Sequence, residues 1–243
     1  MTDILEDIST WLNNSQPFAI ATVVQTWGSA PRPAGAMMII GDDMQITGSV
    51  SGGCVESAVI EEALRVMETG EPRLLKFGVS DETAWSVGLA CGGKIKVFVE
   101  KVSREAKSLW KEILNVQKQN KPCLLVKDLS TDITPVGDFL LFPDGQQSGN
   151  PGKMSKEVRK AAQHFFKIRK SGFREIEGKS LFFQLFPARS RLVIIGAAHI
   201  AIPLVKFARE LDFETIIIDP RQVFADRKRF PVAPDKILPR WPA

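Results

Sequence analysis

The feature that most constrains the fold sits near the C-terminus, where the chain alternates strand, helix and strand. Arg191-Leu-Val-Ile-Ile195 is an apolar strand, Gly196 turns it into a helical stretch over Ile200–Leu211, and Thr215-Ile-Ile-Ile218 returns as a second apolar strand ending in Asp219. Strands apolar on both faces and joined by a helix belong to a parallel sheet, and a sharp glycine junction between them is how a Rossmann sheet begins. The turn Gly196-Ala-Ala-His-Ile-Ala201 is a weakened dinucleotide fingerprint: the first glycine is present and Ala201 is permitted at the third position, but Ala198 sets a methyl group where a pyrophosphate must approach. Asp219 stands where a ribose-binding carboxylate is expected, and His199 lies at the start of the helix. NAD is thus a candidate ligand that the Ala198 methyl disfavours. Few residues of the 243-residue chain follow Asp219, so 188–243 read as the truncated start of a Rossmann-like domain.

Residues 1–187 have a different texture and read as a separate α+β domain, which makes the whole chain α/β in class. Helical spacing places Ile4, Leu5, Ile8, Trp11 and Leu12 on one face of a first helix, and Phe18–Val24 follows as a β-branched, buried strand. A hairpin is expected around Gly41-Asp42-Asp43, a helix over Cys54–Thr69 stopped by Gly70, and strands at 73–77 and 94–100. A third helix, opened by Ser103, runs to Asn120, strands follow at 122–129 and 137–142, and the polar stretch 144–152 reads as a loop. A basic amphipathic helix over 153–170 and a strand at 181–186 complete the domain.

Bulk properties exclude several classes. The net charge of +4 arises from 32 Lys and Arg against 28 Asp and Glu, too mild and dispersed for a nucleic-acid surface. No apolar run reaches the roughly 20 residues of a membrane helix, and the acidic start, with Asp3, Glu6 and Asp7, is not a signal peptide. Three cysteines make no disulfide framework, so a cytoplasmic location is expected.

Two glycine-rich segments stand out for chemistry, Gly48-Ser-Val-Ser-Gly-Gly-Cys-Val-Glu56 and Gly88-Leu-Ala-Cys-Gly-Gly93. Each sets a cysteine, Cys54 or Cys91, against a glycine pair, Gly52-Gly53 or Gly92-Gly93. Such pairs reach positive φ, bring backbone close to a ligand, and point successive N–H groups, with Ser51 beside them, at an anion. Cys54 is also placed at a helix start, where a thiolate is favoured, and a thiolate binds soft metals or carries sulfur. Burial as two small apolar residues is the plain alternative. Glu56 either hydrogen-bonds a ligand or complements the helix N-terminus. Arg32, on the stiff loop Trp27-Gly-Ser-Ala-Pro-Arg-Pro-Ala-Gly35, offers planar donors to a phosphate or pterin, or is simply solvated. Cys123, inside an apolar strand, and His164 are read as structural.

With these segments in order, and with Gly196-Ala-Ala-His199, Asp219-Pro-Arg-Gln-Val-Phe224 and Arg229-Phe-Pro231 behind them, the chain resembles the XdhC/CoxI family of molybdenum-hydroxylase accessory proteins. The resemblance implies a cytoplasmic chaperone that binds the molybdenum cofactor (molybdopterin), assists its sulfuration with a cysteine desulfurase, and inserts it into apo-xanthine dehydrogenase or a related hydroxylase. It implies that Cys54 and Cys91 handle the cofactor on its molybdenum side, without acid–base turnover. Ala198 departs from the family's usual glycine. The open edge of an incomplete sheet favours a homo-oligomer. Two other readings stay in play: an NAD(P)-dependent oxidoreductase resting on Gly196 to Asp219, and a thiol sulfur-relay protein using Cys54 and Cys91.

Overall fold

A computed structural model describes residues 2–78, 93–129, 138–149 and 154–242. The chain divides into two compact units, Thr2–Pro187 and Ala188–Ala243.

The larger unit is built twice from one plan. Helix α1 (Thr2–Asn13) leads into strands β1 (Phe18–Trp27), β2 (Met37–Gly41) and β3 (Ile46–Gly48), then helix α2 (Glu56–Thr69), then β4 (Arg73–Phe77) and β5 (Lys94–Lys101). Helix α3 (Arg104–Lys118) leads into β6 (Cys123–Asp128), β7 (Phe139–Leu141) and β8 (Gln147–Gly149), then helix α4 (Lys156–Ile168), then β9 (Gly172–Ile176) and β10 (Lys179–Phe186). The first set forms a five-stranded sheet in the order β3-β2-β1-β5-β4, and the second forms β8-β7-β6-β10-β9, position for position the same. The registers coincide too: Ala19 pairs with Lys101 where Leu124 pairs with Leu185, and Met38 with Gly48 where Phe139 pairs with Gly149.

Local chemistry repeats with the topology. Ser15 and Asn120 both take left-handed φ, near 56° and 53°, just before Pro17 and Pro122 start the next strand. In the hairpins, the Asp43 carboxylate accepts from the Gln45 amide at 3.1 Å and the Asp144 carboxylate from the Gln146 amide at 3.0 Å. Ser103 and Ser155 cap α3 and α4 by accepting from the amides of Ala106 and Val158.

Each sheet buries one face under its own helix. Val59, Ala63 and Val66 of α2 cover Ala19, Ala21, Val97 and Val99, while Val158, Ala162 and Phe165 of α4 cover Leu124, Val126 and Phe183. The other faces, with α1 and α3, share a central core around Ile8, Trp11, Phe18, Trp110 and Phe186, where Cys123 is wholly buried. Truncating a core aromatic such as Trp110 costs about 3–5 kcal/mol. A second central cluster holds Val24, Phe98, Leu129 and Phe182.

Between these two clusters lies a polar layer. Thr22 and Lys127 occupy equivalent positions of β1 and β6, and Glu100 and Gln184 equivalent positions of β5 and β10. Lys127 is 2% exposed and is paired with Glu100 and, at 2.7 Å, with Asp138. Burial alone would lower its pKa, but the two carboxylates outweigh that and hold the ammonium well above its usual range. At the corresponding positions, Thr22 Oγ1 and both amide atoms of Gln184 are buried without a hydrogen-bond partner among the described residues.

The smaller unit carries β11 (Arg191–Ile195), helix α5 (Ala201–Glu210) and β12 (Glu214–Ile218), with the two strands parallel as expected. A third parallel strand, β13 (Lys236–Leu238), pairs with β12; neither it nor β9 of the larger unit shows in the sequence pattern. The polar stretch read as a loop also contains β8, which pairs with β7 at the sheet edge. Among the described residues, no helix is long and apolar enough to cross a membrane.

Candidate functional site

The first sheet brings the Trp27 loop and the segment after Gly48 to one end. There β1 ends at Trp27 beside the first residue of β5, Lys94, while β2 begins next to the last residue of β3. The loop after Trp27, the segment after Gly48 and Gly93 therefore lie at the same end. Direct contact ties two of them. A Cβ on Gly93 would lie 2.9 Å from backbone atoms of Ser29 and Ala30, so only glycine lets this close approach stand. Cys54 packs partly buried on the α2-side core, as do Ala30 and Ala36 of the neighbouring loop. Arg32 is exposed at the tip of that loop. Cys91 and Gly92 lie outside the described residues.

Glu56 organises the segment before α2. Its carboxylate accepts from the Ser49 hydroxyl at 2.7 Å, the Ser51 amide at 2.9 Å and hydroxyl at 2.5 Å, and the amides of Gly52 at 2.9 Å, Gly53 at 2.8 Å and Val55 at 3.2 Å. Burial would raise this acid's pKa; the hydroxyls of Ser51 and Ser49 and the amides of Ser51 and Gly52 win, and hold it well below the carboxylate range. The amides of Ser51, Gly52 and Gly53, expected to face a ligand's anion, donate to the chain's own Glu56. These amides do not await a ligand's anion, and the reading of Glu56 as a ligand contact gives way to a loop-holding role. The helix starts at Glu56, two residues past Cys54, and its Val55 amide also serves Glu56. Gly52 and Gly53 take φ of +97° and +120°, which a side chain would strain, and a Cβ on either would meet nothing within 4 Å among the described residues. The turn beside Cys54 is thus fixed from within by the Glu56 carboxylate.

At the same end lies a cleft of about 510 Å³ lined by Trp27, Lys76, Phe77, Gly78, Lys94, Ile95 and Lys96, which the sequence reading does not single out. The Lys96 ammonium stands 5.4 Å from the Trp27 ring centroid. A register shift in β1 between Val23 and Gln25 creates this arrangement. Before the shift, even-numbered residues of β1 face the centre of the unit; after it, Gln25 and Trp27 pair with Lys96 and Lys94 and share their face. Alternating Lys-x-Lys in β5 is the available signal, though without the bulge Trp27 would be assigned to the opposite face.

In the smaller unit the dinucleotide reading loses its ligands. The Asp219 carboxylate accepts from the Ala197 amide at 2.8 Å, the Arg221 amide at 2.9 Å, and the Arg221 guanidinium at 3.0 and 2.9 Å. The Arg221 side chain and the Ala197 amide hold this acid far below its ordinary range. Both oxygens expected to bind a ribose are committed, as is the first amide after Gly196. Arg221 also lies over the Phe224 ring at 4.2 Å, and Arg229 lies over the same ring at 4.7 Å. His199 is exposed ahead of α5. No group of three or more His, Cys, Asp or Glu suited to a metal ion occurs among the described residues.

Comparison with known proteins fits this division. Residues 11–78 match the XdhC and CoxI family, and residues 192–238 match the XdhC Rossmann domain. The chain is 24% identical over 239 residues to a Bacillus subtilis protein named as a probable xanthine dehydrogenase subunit, covering 95% of this chain and 68% of that protein. It is 39% identical over 104 residues to the molybdenum cofactor insertion chaperone PaoD of Escherichia coli, covering 42% of this chain and 31% of that one. A crystal structure described as a xanthine dehydrogenase from Bacillus halodurans superposes with a TM-score of 0.76 at 28% identity, covering 96% of this chain and 67% of that chain.

Proposed function

Since the chain belongs to the XdhC and CoxI family, whose two domain models it matches in order, we propose that it is a chaperone that carries the molybdenum cofactor as cargo and inserts it into a xanthine dehydrogenase-type hydroxylase. The name of its E. coli relative, a molybdenum cofactor insertion chaperone, supports that reading. In this proposal Cys54 and Cys91 are soft, exchangeable contacts on the molybdenum side, and a cysteine desulfurase supplies the sulfur installed on the cargo. The observation that carries the reading is the gathering of the motif loops at one sheet end, with Gly93 seated on Ser29–Ala30 and Cys54 held by a turn that Glu56 pre-forms. Preorganisation suits a carrier: a turn already satisfied internally binds and releases without refolding.

The test is anaerobic titration of the full chain with molybdenum cofactor, reading retained molybdenum after gel filtration and activation of an apo-hydroxylase. Wild type should retain cofactor stoichiometrically and activate its client, and Cys54→Ala should lose both. Equal retention by wild type, Cys54→Ala and Cys91→Ala would remove the thiols from the reading. The oxidoreductase alternative is disfavoured by the commitment of Asp219 to Arg221 and Ala197.

A further inference from the structure

The lysines at the end of the first sheet are arranged against the interests of the fold. Lys76 and Lys96 are directly opposite one another on β4 and β5, on one face. Like charges in that relation destabilise a sheet. The duplicated half shows that the scaffold does not require them, because the equivalent opposed pair of β9 and β10 is Glu175 and Ser180. A third lysine, Lys94, follows on the same face, and its stem lies where a Cβ on Gly78 would come within 2.6 Å of it. Gly78 thus leaves the space in which that stem rests. Trp27, 46% exposed, completes the cleft with its indole face. Over its described residues β6 pairs with β10 in constant register, with no shift like that of β1.

We propose that this cleft, walled by Trp27 and lined by Lys76, Lys94 and Lys96, is a binding site for the phosphate-bearing end of a planar heterocyclic ligand. Lysine side chains lining one cavity are what a dianionic phosphate recognises, and a half-exposed indole takes a flat ring by stacking. The volume of about 510 Å³ lies in the range of small-molecule sites. A bound phosphate between Lys76 and Lys96 would relieve their mutual repulsion. The cleft lies at the sheet end from which the segment bearing Cys54 also leaves, so, resting on the carrier reading, its occupant is the phosphate-bearing pterin end of the cargo, with the thiol side reserved for molybdenum.

The site is tested without cofactor or metal. The full chain is labelled with 5-fluorotryptophan, the Trp27 ¹⁹F resonance is assigned with Trp27→Phe, and guanosine 5′-monophosphate is the probe, because it joins a bicyclic 2-amino-oxo ring to one phosphate. Guanosine and inorganic phosphate are run separately. The nucleotide should shift the Trp27 resonance saturably, guanosine should bind about tenfold more weakly, and phosphate should compete. Lys76→Glu sets a carboxylate opposite Lys96, so this variant should fold at least as well as wild type and still lose about tenfold or more in affinity; Lys96→Glu should do the same. A Trp27 resonance unmoved by saturating nucleotide, or a response unchanged in both lysine variants, overturns the proposal. Cys54→Ala should leave the response intact, which separates the two readings: nucleotide binding without cofactor retention keeps the cleft and sinks the carrier, and cofactor retention unaffected by the lysine variants does the reverse.

Discussion

Removing the Glu56 carboxylate should loosen the turn that presents Cys54, by an amount the hydrogen bonds bound. Glu56 accepts from three side-chain or amide groups of Ser49 and Ser51 and from the amides of Gly52, Gly53 and Val55. Hydrogen bonds to a charged group contribute about 1.5–3 kcal/mol each. These do not add, because they share one half-exposed carboxylate and the exposed glycine amides can turn to water. Glu56→Ala should therefore cost about 2–3 kcal/mol, a fall of about 4–12 °C in the melting temperature of a unit this size. The pH dependence has a definite sign. The folded carboxylate titrates well below its usual value of 4.5, so its contribution is complete at neutral pH, starts to fade as pH drops through about 4.5, and is lost only as pH reaches the depressed folded value. Thermal unfolding of wild type, Glu56→Ala and Glu56→Gln followed by circular dichroism from pH 7 to 3 measures both effects. The gap between wild type and variants should narrow steadily toward acid. Variants melting within about 1 °C of wild type at pH 7, or a gap constant down to pH 3, would refute the internal-anion account.

Three further outcomes follow from other groups. Lys127→Met leaves Glu100 and Asp138 facing each other without their cation and should destabilise by about 3–5 kcal/mol, whereas Lys127→Met with Glu100→Gln should recover at least about 1 kcal/mol of the summed single losses in a chemical-denaturation cycle; strict additivity would mean the pair is not coupled. Cys123, whose thiol burial and the nearby Glu112 push up to about 12, should stay unmodified when the native chain is treated with iodoacetamide at pH 8 while Cys54 reacts, as peptide mass spectrometry would show; rapid labelling of Cys123 would contradict its burial. NAD and NADP should leave the melting temperature unchanged, since a ligand present at 100 times its Kd would add about 2.7 kcal/mol. A clear upward shift would mean that Asp219 releases Arg221 to take a ribose.

The sequence marks backbone-determined features more openly than packing-determined ones. The glycine pair at 52–53, the Gly70 stop, the Ser103 cap and the Gly196 turn depend on local dihedrals and local hydrogen bonds, and they stand where the residue types indicate. The strands that escape the pattern are edges: β8 is Gln-Ser-Gly, β9 carries Arg174 and Glu175, and β13 is three residues long. Edge strands bury little, so they lack the apolar pattern that identifies a strand. The internal duplication is hidden for a related reason. Equivalent positions have exchanged chemistry, threonine for Lys127 and glutamine for Glu100, while the pairing registers, which no sequence displays, have stayed fixed. At the candidate site the cysteines and glycines are visible from spacing alone. The occupant of the glycine cradle is not, because Glu56 competes with any ligand for the same amides only once the turn has folded back on it.

The two halves of the larger unit share strand order, register, hairpin chemistry and helix placement, so the shared plan does not depend on what only one copy carries at its sheet end. The ion pair of Lys127 with Glu100 is a separate, central difference. Apart from the central polar layer, three differences gather at one end of the first copy. Where the second half closes β9 to β10 with Glu177 and Gly178 alone, the first interposes residues 78–93, including the second cysteine segment. Where β6 runs against β10 in constant register over its described residues, β1 shifts register against β5 and ends at Trp27. Where the second half opposes Glu175 with Ser180, the first opposes two lysines at a cost in stability. Departures that cost stability and gather in one place are the mark of a site rather than of drift, since neutral change would scatter over both copies. The second copy is therefore an internal control for the first. Transplanting its pair into the first sheet, as Lys76→Glu with Lys96→Ser, should raise the melting temperature while abolishing the nucleotide response of Trp27; a variant less stable than wild type would show that the lysines serve the fold after all.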